Sequence, residues 1–419
     1  MYNKINLENK LRIVTYPMEG LRSVSVGIWI GVGGRFENAS NKGISHFLEH
    51  LVFKGSRKYS CEEIKQGIEG SGGALNGFTS EEFTCYLVKV LDKNILKAID
   101  ILADMVVNPL IPSVEVEKER GVIIEEIKMY KDLPQHYVHE LLDGLLWPNH
   151  PLGMNLAGTV DSVSGISRED LFKFQSFWYP VSNIVVVICG AFHEAKTIEK
   201  IKATFRKLAS GKKTQFLKFS AKQNSPRFTT LNKKTEQTHL AMGYPSLKRD
   251  HPKKYVLSLL NTILGANMSS RLFKEIREKR GLAYEIGTSL KRHADSGAFV
   301  VHAGIDNRNV IQTIDLILKE FDKIKKFLPT KSEFMRAKEF YCGQLIIALE
   351  DPLNQMLMLG EDVLSKDEIH SPQETLKEIE KIKIEEISEL AKDIFDPRHI
   401  NVALIGPDSG IESKFKKII

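Results

Sequence analysis

One order of segments occurs twice along the 419 residues: strand, helix, hairpin, long helices, strand. In the first half, LRIVTYP and RSVSVGIWIGVGG are rich in β-branched residues and close on glycines, which predicts strands. The apolar helix GISHFLEHLVFKG follows, with Ser40 or Asn41 placed to cap it and Gly55 to end it. SCEEIKQGIEGSGG predicts a short helix after Ser60, ALNGFTSEEFTCYLVKVL a hairpin turning at SEE, and KNILKAIDILADMVVNP a helix ending at Pro109. Two long helices, near Ser113 to Lys131 and Pro134 to Leu146, lead to the wholly apolar strand NIVVVICGAF. QTHLAMGYP, KKYVLSLLNTILGA, GLAYEIGTSLKRHADSGAFVVHAGI, NVIQTIDLILKEFDKIKK, KSEFMRAKEFYCGQLIIALE and INVALIGP then repeat the order in the second half. The expected fold is therefore α+β, with two homologous domains, each a mainly antiparallel sheet with helices packed on one face. They are residues 1–208 and 235–419, joined by a linker over 209–234.

Composition narrows the function. Hydrophobic residues at 42% and charged residues at 27% fit a globular chain. The net charge of +6 is spread out, and the densest basic run, GKKTQFLKFSAK, falls in the linker. Nucleic acid is therefore not an expected partner. No run of 18 apolar residues predicts a membrane span, and MYNKINLENKLRIVTYPMEG has no signal-peptide core. Cys61, Cys85, Cys189 and Cys342 are scattered and form no C-x-x-C pair, as expected of buried thiols in a reducing, cytoplasmic compartment.

The chemistry concentrates in the first half. His46 and His50, four apart on a helix, share one face and can grip one ion, with Glu49 beside them. Such an H-x-x-E-H helix is the inverted form of the H-E-x-x-H zinc signature. A catalytic zinc needs a third protein ligand. SVEVEKERGVIIEEIKMYKD offers Glu119 and Glu126, nearly two turns apart on one face, one to bind metal and one to support a ligand histidine. Spacing alone leaves Glu115, Glu117 and Glu125 in contention, and a solvated acidic helix too. A rival cluster, His136, His139 and Glu140, lacks a further ligand nearby. The helix YVLSLLNTILGANMSSRL of the second half carries no metal ligands. GALNGFTS suits an edge strand onto which an extended peptide can add, its glycines leaving room for another backbone.

The blocks HFLEHLVFKG, GGALNGFTSEEFTCY, EVEKERGVIIEEIKMY, LLWPNHPLG and MSSRLFKEIREKRGLAYEI resemble, in order and over nearly the whole length, the pitrilysin family of inverted zinc peptidases. The closest similarity is to its two-domain branch, which includes mitochondrial processing peptidase. That resemblance implies one Zn2+ per chain on His46, His50 and Glu126, with Glu119 in support and Glu49 as general base. It implies substrate backbone binding at Asn76 and Gly77, with Phe78 beside them. It further implies substrate binding and oxyanion stabilisation by Arg277 and Tyr284, which in the two-subunit branch come from a partner chain. The implied assembly is a clamshell homodimer, or a heterodimer with a related chain, closing around peptide substrates. The family often has alanine where Gly77 stands. Two other readings are a non-catalytic structural or regulatory subunit, from which the H-x-x-E-H residues are typically lost, and a metal hydrolase acting on small molecules.

Overall fold

The structure is a computed structural model and describes residues 2–407 apart from 207, 209, 212–214 and 221. Parts of the expected linker and the last twelve residues of the expected second domain, 408–419, thus lie outside the described residues. Contacts divide the chain into two compact units. One comprises the chain up to Lys128, Asn155–Leu217 and Ile347–His370; the other comprises Met129–Met154, Lys218–Ile346 and the chain from Ser371 on.

The first unit holds strands β1 (Asn3–Asn6), β2 (Arg12–Pro17), β3 (Ser23–Ile30), β4 (Ala74–Thr79), β5 (Thr84–Leu91) and β6 (Ile184–Gly190). They lie in the order β1-β2-β6-β3-β5-β4. Only β2 and β6 run parallel. The second holds β7 (Arg227–Asn232), β8 (Gln237–Pro245), β9 (Ala283–Arg292), β10 (Gly297–Asp306) and β11 (Asn401–Gly406), in the order β7-β11-β8-β10-β9. Here β7 and β11 are the parallel pair. The order β2-β6-β3-β5-β4 is repeated position by position, so the duplication read from the element order is also a duplication of topology.

Helices α1 (Ile44–Val52), α2 (Cys61–Ile68), α3 (Ile95–Val107), α4 (Ser113–Asp132), α5 (Pro134–Leu146), α6 (Val160–Gly165), α7 (Arg168–Trp178) and α8 (Glu194–Phe205) belong to the first half of the sequence. Helices α9 (Lys254–Leu264), α10 (Val310–Lys326), α11 (Lys331–Ala348), α12 (Pro352–Lys366), α13 (Pro372–Lys381) and α14 (Ile384–Ile394) belong to the second. On one face of the first sheet, Val26, Ile28, Tyr86 and Val88 pack against Phe47, Leu48 and Leu51 of α1 and Ile99 and Leu102 of α3, all buried. In the second unit, Leu240, Met242, Phe299 and Val301 pack in the same manner with residues of α9, α10 and α14.

The expectation of helices on one face describes most of them, but each sheet also carries a helix on its other face. Trp29, Cys85, Val185 and Val187 of the first sheet are covered by Met356, Leu359 and Val363 of α12. The approach is close enough that a Cβ on Gly360 would fall 2.1 Å from the Trp29 ring. Ala241, Val300 and Ala403 of the second sheet are covered by Val138, Leu142 and Leu146 of α5. Each of these helices comes from the other half of the sequence, so no single cut between 208 and 235 separates the two units. No described helix is long and apolar enough to cross a membrane. All four cysteines are free, Cys85 and Cys189 buried, Cys61 and Cys342 half-buried.

Candidate metal centre

Helix α1 is set in place by a residue outside it. Its cap is neither Ser40 nor Asn41, which fold into a turn of their own around Asn38 Oδ1. Gly43 precedes the helix at φ +95°, and its N–H donates to Glu37 at 3.0 Å, as does Ser45 N–H at 2.8 Å. Two of the helix's orphan donors thus end on one buried carboxylate, which also pairs with Lys42 at 3.3 Å.

With α1 fixed, His46 and His50 stand one turn apart, ring centroids 4.6 Å from each other. Helix α4 brings Glu126 to both, its Oε2 3.9 Å from His46 Nε2 and 3.8 Å from His50 Nε2. Among the described residues, this is the one His/Cys/Asp/Glu group whose ligand atoms all lie within 4.8 Å of one another. Two imidazoles and a carboxylate are a zinc donor set with room for a fourth ligand, so the residues fit the expected ion. Burial, aided by the neighbouring His50, lowers His46 to about 4. It is therefore neutral at pH 7, the form that binds metal. Glu119 Oε2 lies 3.0 Å from His50 Nδ1. A carboxylate only accepts, so Nδ1 carries the proton and Nε2 is left free on the Glu126 side. Lys54 Nζ donates to the other oxygen of Glu119 at 2.6 Å. Burial works to raise Glu119, but the hydrogen bonds from Lys54 and His50 outweigh it and hold the carboxyl below its usual range.

Glu49 borders the trio. Thr79 Oγ1 donates to its Oε2 at 3.1 Å. Burial pushes its carboxyl up, and the Glu126 charge adds to this against the opposing effects of His50 and Thr79. A raised carboxyl beside a metal set suits a group that takes up and returns a proton. Gly77, two residues before Thr79 and on the same face of β4, has its α-carbon against the site: a Cβ there would lie 2.9 Å from Phe53 Cζ and 3.3 Å from Glu49 Oε1. Among the described residues, strand β4 pairs only with β5 and ends the sheet. Asn76 is exposed on it, its Oδ1 accepting from Gly77 N–H at 2.8 Å. Phe78 points to the opposite face, where it meets Trp29 and Phe83 at ring distances of 5.8 and 6.2 Å.

Arg277 and Tyr284 belong to the second unit. Arg277 sits on the π-helical segment Phe273–Glu278, its guanidinium 5.4 Å from the Tyr284 ring centroid. Tyr284 is 75% exposed. Among the described residues, His136, His139 and Glu140 gather no metal group: the His139 ring faces His302 at 5.9 Å. Reading the sequence missed Thr79, Lys54 and Glu37. The first two had signals: Thr79 is two from Gly77 on a strand, and Lys54 is four from His50 along the helix.

The model for the insulinase family, peptidase family M16, matches residues 12–160, and that for the peptidase M16 inactive domain matches residues 165–341. An uncharacterized zinc protease, YmxG, of Bacillus subtilis (strain 168) is 34% identical over 99% of this chain and 100% of its own. The chain belongs to peptidase family M16. A further relative is an uncharacterized zinc protease, SCO5738, of Streptomyces coelicolor, 34% identical over 96% of this chain and 89% of its own. Solved structures carry the same fold. A protease from Helicobacter pylori superimposes with a TM-score of 0.91 at 23% identity, over 97% of this chain and 99% of that one. A peptidase M16 inactive domain from Pseudomonas fluorescens gives 0.90 at 18% identity, over 97% and 98%. The two-domain M16 architecture is therefore that of the resemblance read in the sequence, and its named relatives are zinc proteases.

Proposed function

We propose that this M16 chain is a zinc metalloendopeptidase that hydrolyses peptide bonds in extended or unfolded peptides. The observation that carries the reading is the convergence of His46, His50 and Glu126 from two helices with Glu49 beside them. His46 and His50 offer Nε2 and Glu126 a carboxylate oxygen to one zinc per chain. Zinc in such a set supplies Lewis-acid chemistry, acidifying a water and polarising a carbonyl. Glu49 takes the proton of the attacking water and returns it to the leaving amine. Thr79 holds one Glu49 oxygen and leaves the other free to accept. Glu119 keeps His50 in one tautomer. The open edge of β4 takes the peptide as an added strand, with Asn76 and Gly77 presenting backbone and Phe78 anchoring the strand from behind.

In this reading Arg277 and Tyr284 bind substrate and the developing oxyanion at the zinc centre of a second chain, as in the two-subunit branch. The working form is a homodimer, or a heterodimer with a related chain, enclosing the peptide. Four free thiols fit a cytoplasmic setting. Retention of every H-x-x-E-H residue favours this enzyme over a non-catalytic subunit. Metal analysis of the purified chain with cleavage of a quenched peptide library tests the reading. We expect one zinc per chain and cleavage that stops when zinc is removed. Stoichiometric zinc without cleavage of any peptide, by the chain alone or with a related chain, would reject it.

A further inference from the structure

We propose that Lys54 is a positioning residue of the metal centre: through Glu119 it fixes His50 with Nε2 turned toward the metal. This rests on the zinc-peptidase reading above.

Lys54 comes four residues after His50 and eight after His46, so the helical rise carries it along the face that bears both ligands. Regular hydrogen bonding ends at Val52, yet Lys54 N–H still donates to Leu51 O at 3.0 Å. The chain turns away only at Gly55, where φ is +120°. The backbone thus holds Lys54 one turn beyond His50, opposite Glu119 of α4.

The contacts form a short relay. Lys54 Nζ lies 2.6 Å from Glu119 Oε1, and Glu119 Oε2 lies 3.0 Å from His50 Nδ1. The side chains of Lys54 and Glu119 are only 26% and 10% exposed, so the pair is shielded from the screening that weakens surface pairs.

Three carboxylates, Glu49, Glu119 and Glu126, crowd two histidines, and only Glu126 is assigned to bind the metal. Among the described ion pairs, Lys54 brings the one lysine or arginine to any of the three. Its ammonium occupies one Glu119 oxygen and balances its charge. That makes Glu119 a poor competitor for the metal and leaves its second oxygen for the imidazole N–H. Groups behind a ligand set its tautomer and orientation in this way. A lysine that merely tied α1 to α4 would affect folding and leave zinc affinity alone.

The test measures zinc affinity of the full chain by competition with a chromophoric chelator, with thermal unfolding of the zinc-free protein alongside. Lys54→Met keeps the length and removes the charge; Lys54→Gln serves if that variant does not fold. Zinc affinity should fall ~10-fold or more, and Lys54→Arg should restore it. At saturating zinc, kcat should fall with KM nearly unchanged. In a Glu119→Gln background the same substitution should change affinity less than ~2-fold, because the relay is already broken. Wild-type zinc affinity in both neutral variants, or an equal loss with and without Glu119, would overturn the inference while leaving the zinc-peptidase reading in place. A wild-type chain that binds no zinc would overturn that reading, and this inference with it.

Discussion

Glu119 and Glu126 sit two turns apart on one helix and touch opposite nitrogens of the same imidazole. Glu126 Oε2 approaches Nε2 of both histidines, while Glu119 meets only Nδ1 of His50. Glu126→Gln should therefore release zinc to a chelator, since an amide is a poorer ligand than a carboxylate. Glu119→Gln should keep zinc, less tightly, and cost ~10 to 100-fold in affinity or activity. Metal content and kcat/KM of the two variants check this, and swapped phenotypes would place the third ligand at Glu119. The sequence showed this scale unevenly. His46, Glu49 and His50 follow from helical spacing alone. Glu126 did not, because Glu115, Glu117 and Glu125 are equally acidic neighbours, and it was reached through the family resemblance. Lys54 lay on the same helical face, but a lysine after an apolar helix reads as a solvated end.

At the scale of elements, the start of α1 decides whether the histidines face α4. Glu37 accepts two backbone N–H groups there and pairs with Lys42, the two side chains buried together. Glu37→Ala would take the carboxylate from Lys42, whose Nζ keeps Gly34 O at 2.7 Å, and leave both backbone donors without this acceptor. A cost of about 3–5 kcal/mol is expected, the usual range for breaking a buried pair. Ser40→Ala should stay within about 0.5 kcal/mol, as for an exposed site away from such features. Chemical denaturation of both variants checks the contrast, and equal losses would restore Ser40 as the cap. Local patterns could not show this, because Glu37 lies seven residues before the helix and binds through a turn. The same limit hid α5 and α12. The sequence predicts α5 as a helix and carries no expectation of α12, and nothing local in either says that its apolar face lies on a sheet from the other half. The pattern did reveal β2 to β6, β8 to β11, the hairpins and their repeated order, which depend on alternation and turn residues close at hand. It missed the edge strands β1 and β7, and β7 lies inside the expected linker, where its pairing with β11 is set from far along the chain.

The whole molecule should lose stability in mild acid, in part through His139. Burial first, then the charges of Lys291, His302 and His136, lower this imidazole from 6.5 to about 4. Its folded form resists a proton that the unfolded chain accepts. Its contribution is therefore complete above pH 6.5 and is lost as pH falls toward about 4. The loss is on the order of 2–3 kcal/mol. Unfolding free energy measured across that window should show the slope, and His139→Asn should flatten it. An unchanged slope would remove His139 as the cause.

If Arg277 and Tyr284 serve a partner's zinc, two inactive chains should rescue each other. Mixing Glu49→Gln with an Arg277→Ala, Tyr284→Phe chain under subunit exchange should recover about one quarter of wild-type sites. No recovery, with exchange verified, would reject the shared site. The central claim is that Glu49 moves the water proton beside a zinc held by His46, His50 and Glu126. Its most direct measurement is cleavage of one unstructured quenched peptide by wild-type and Glu49→Gln chains, each verified to carry the same zinc. The account predicts equal zinc and a fall in turnover of at least ~10²-fold; near-normal cleavage by the zinc-loaded variant would contradict it.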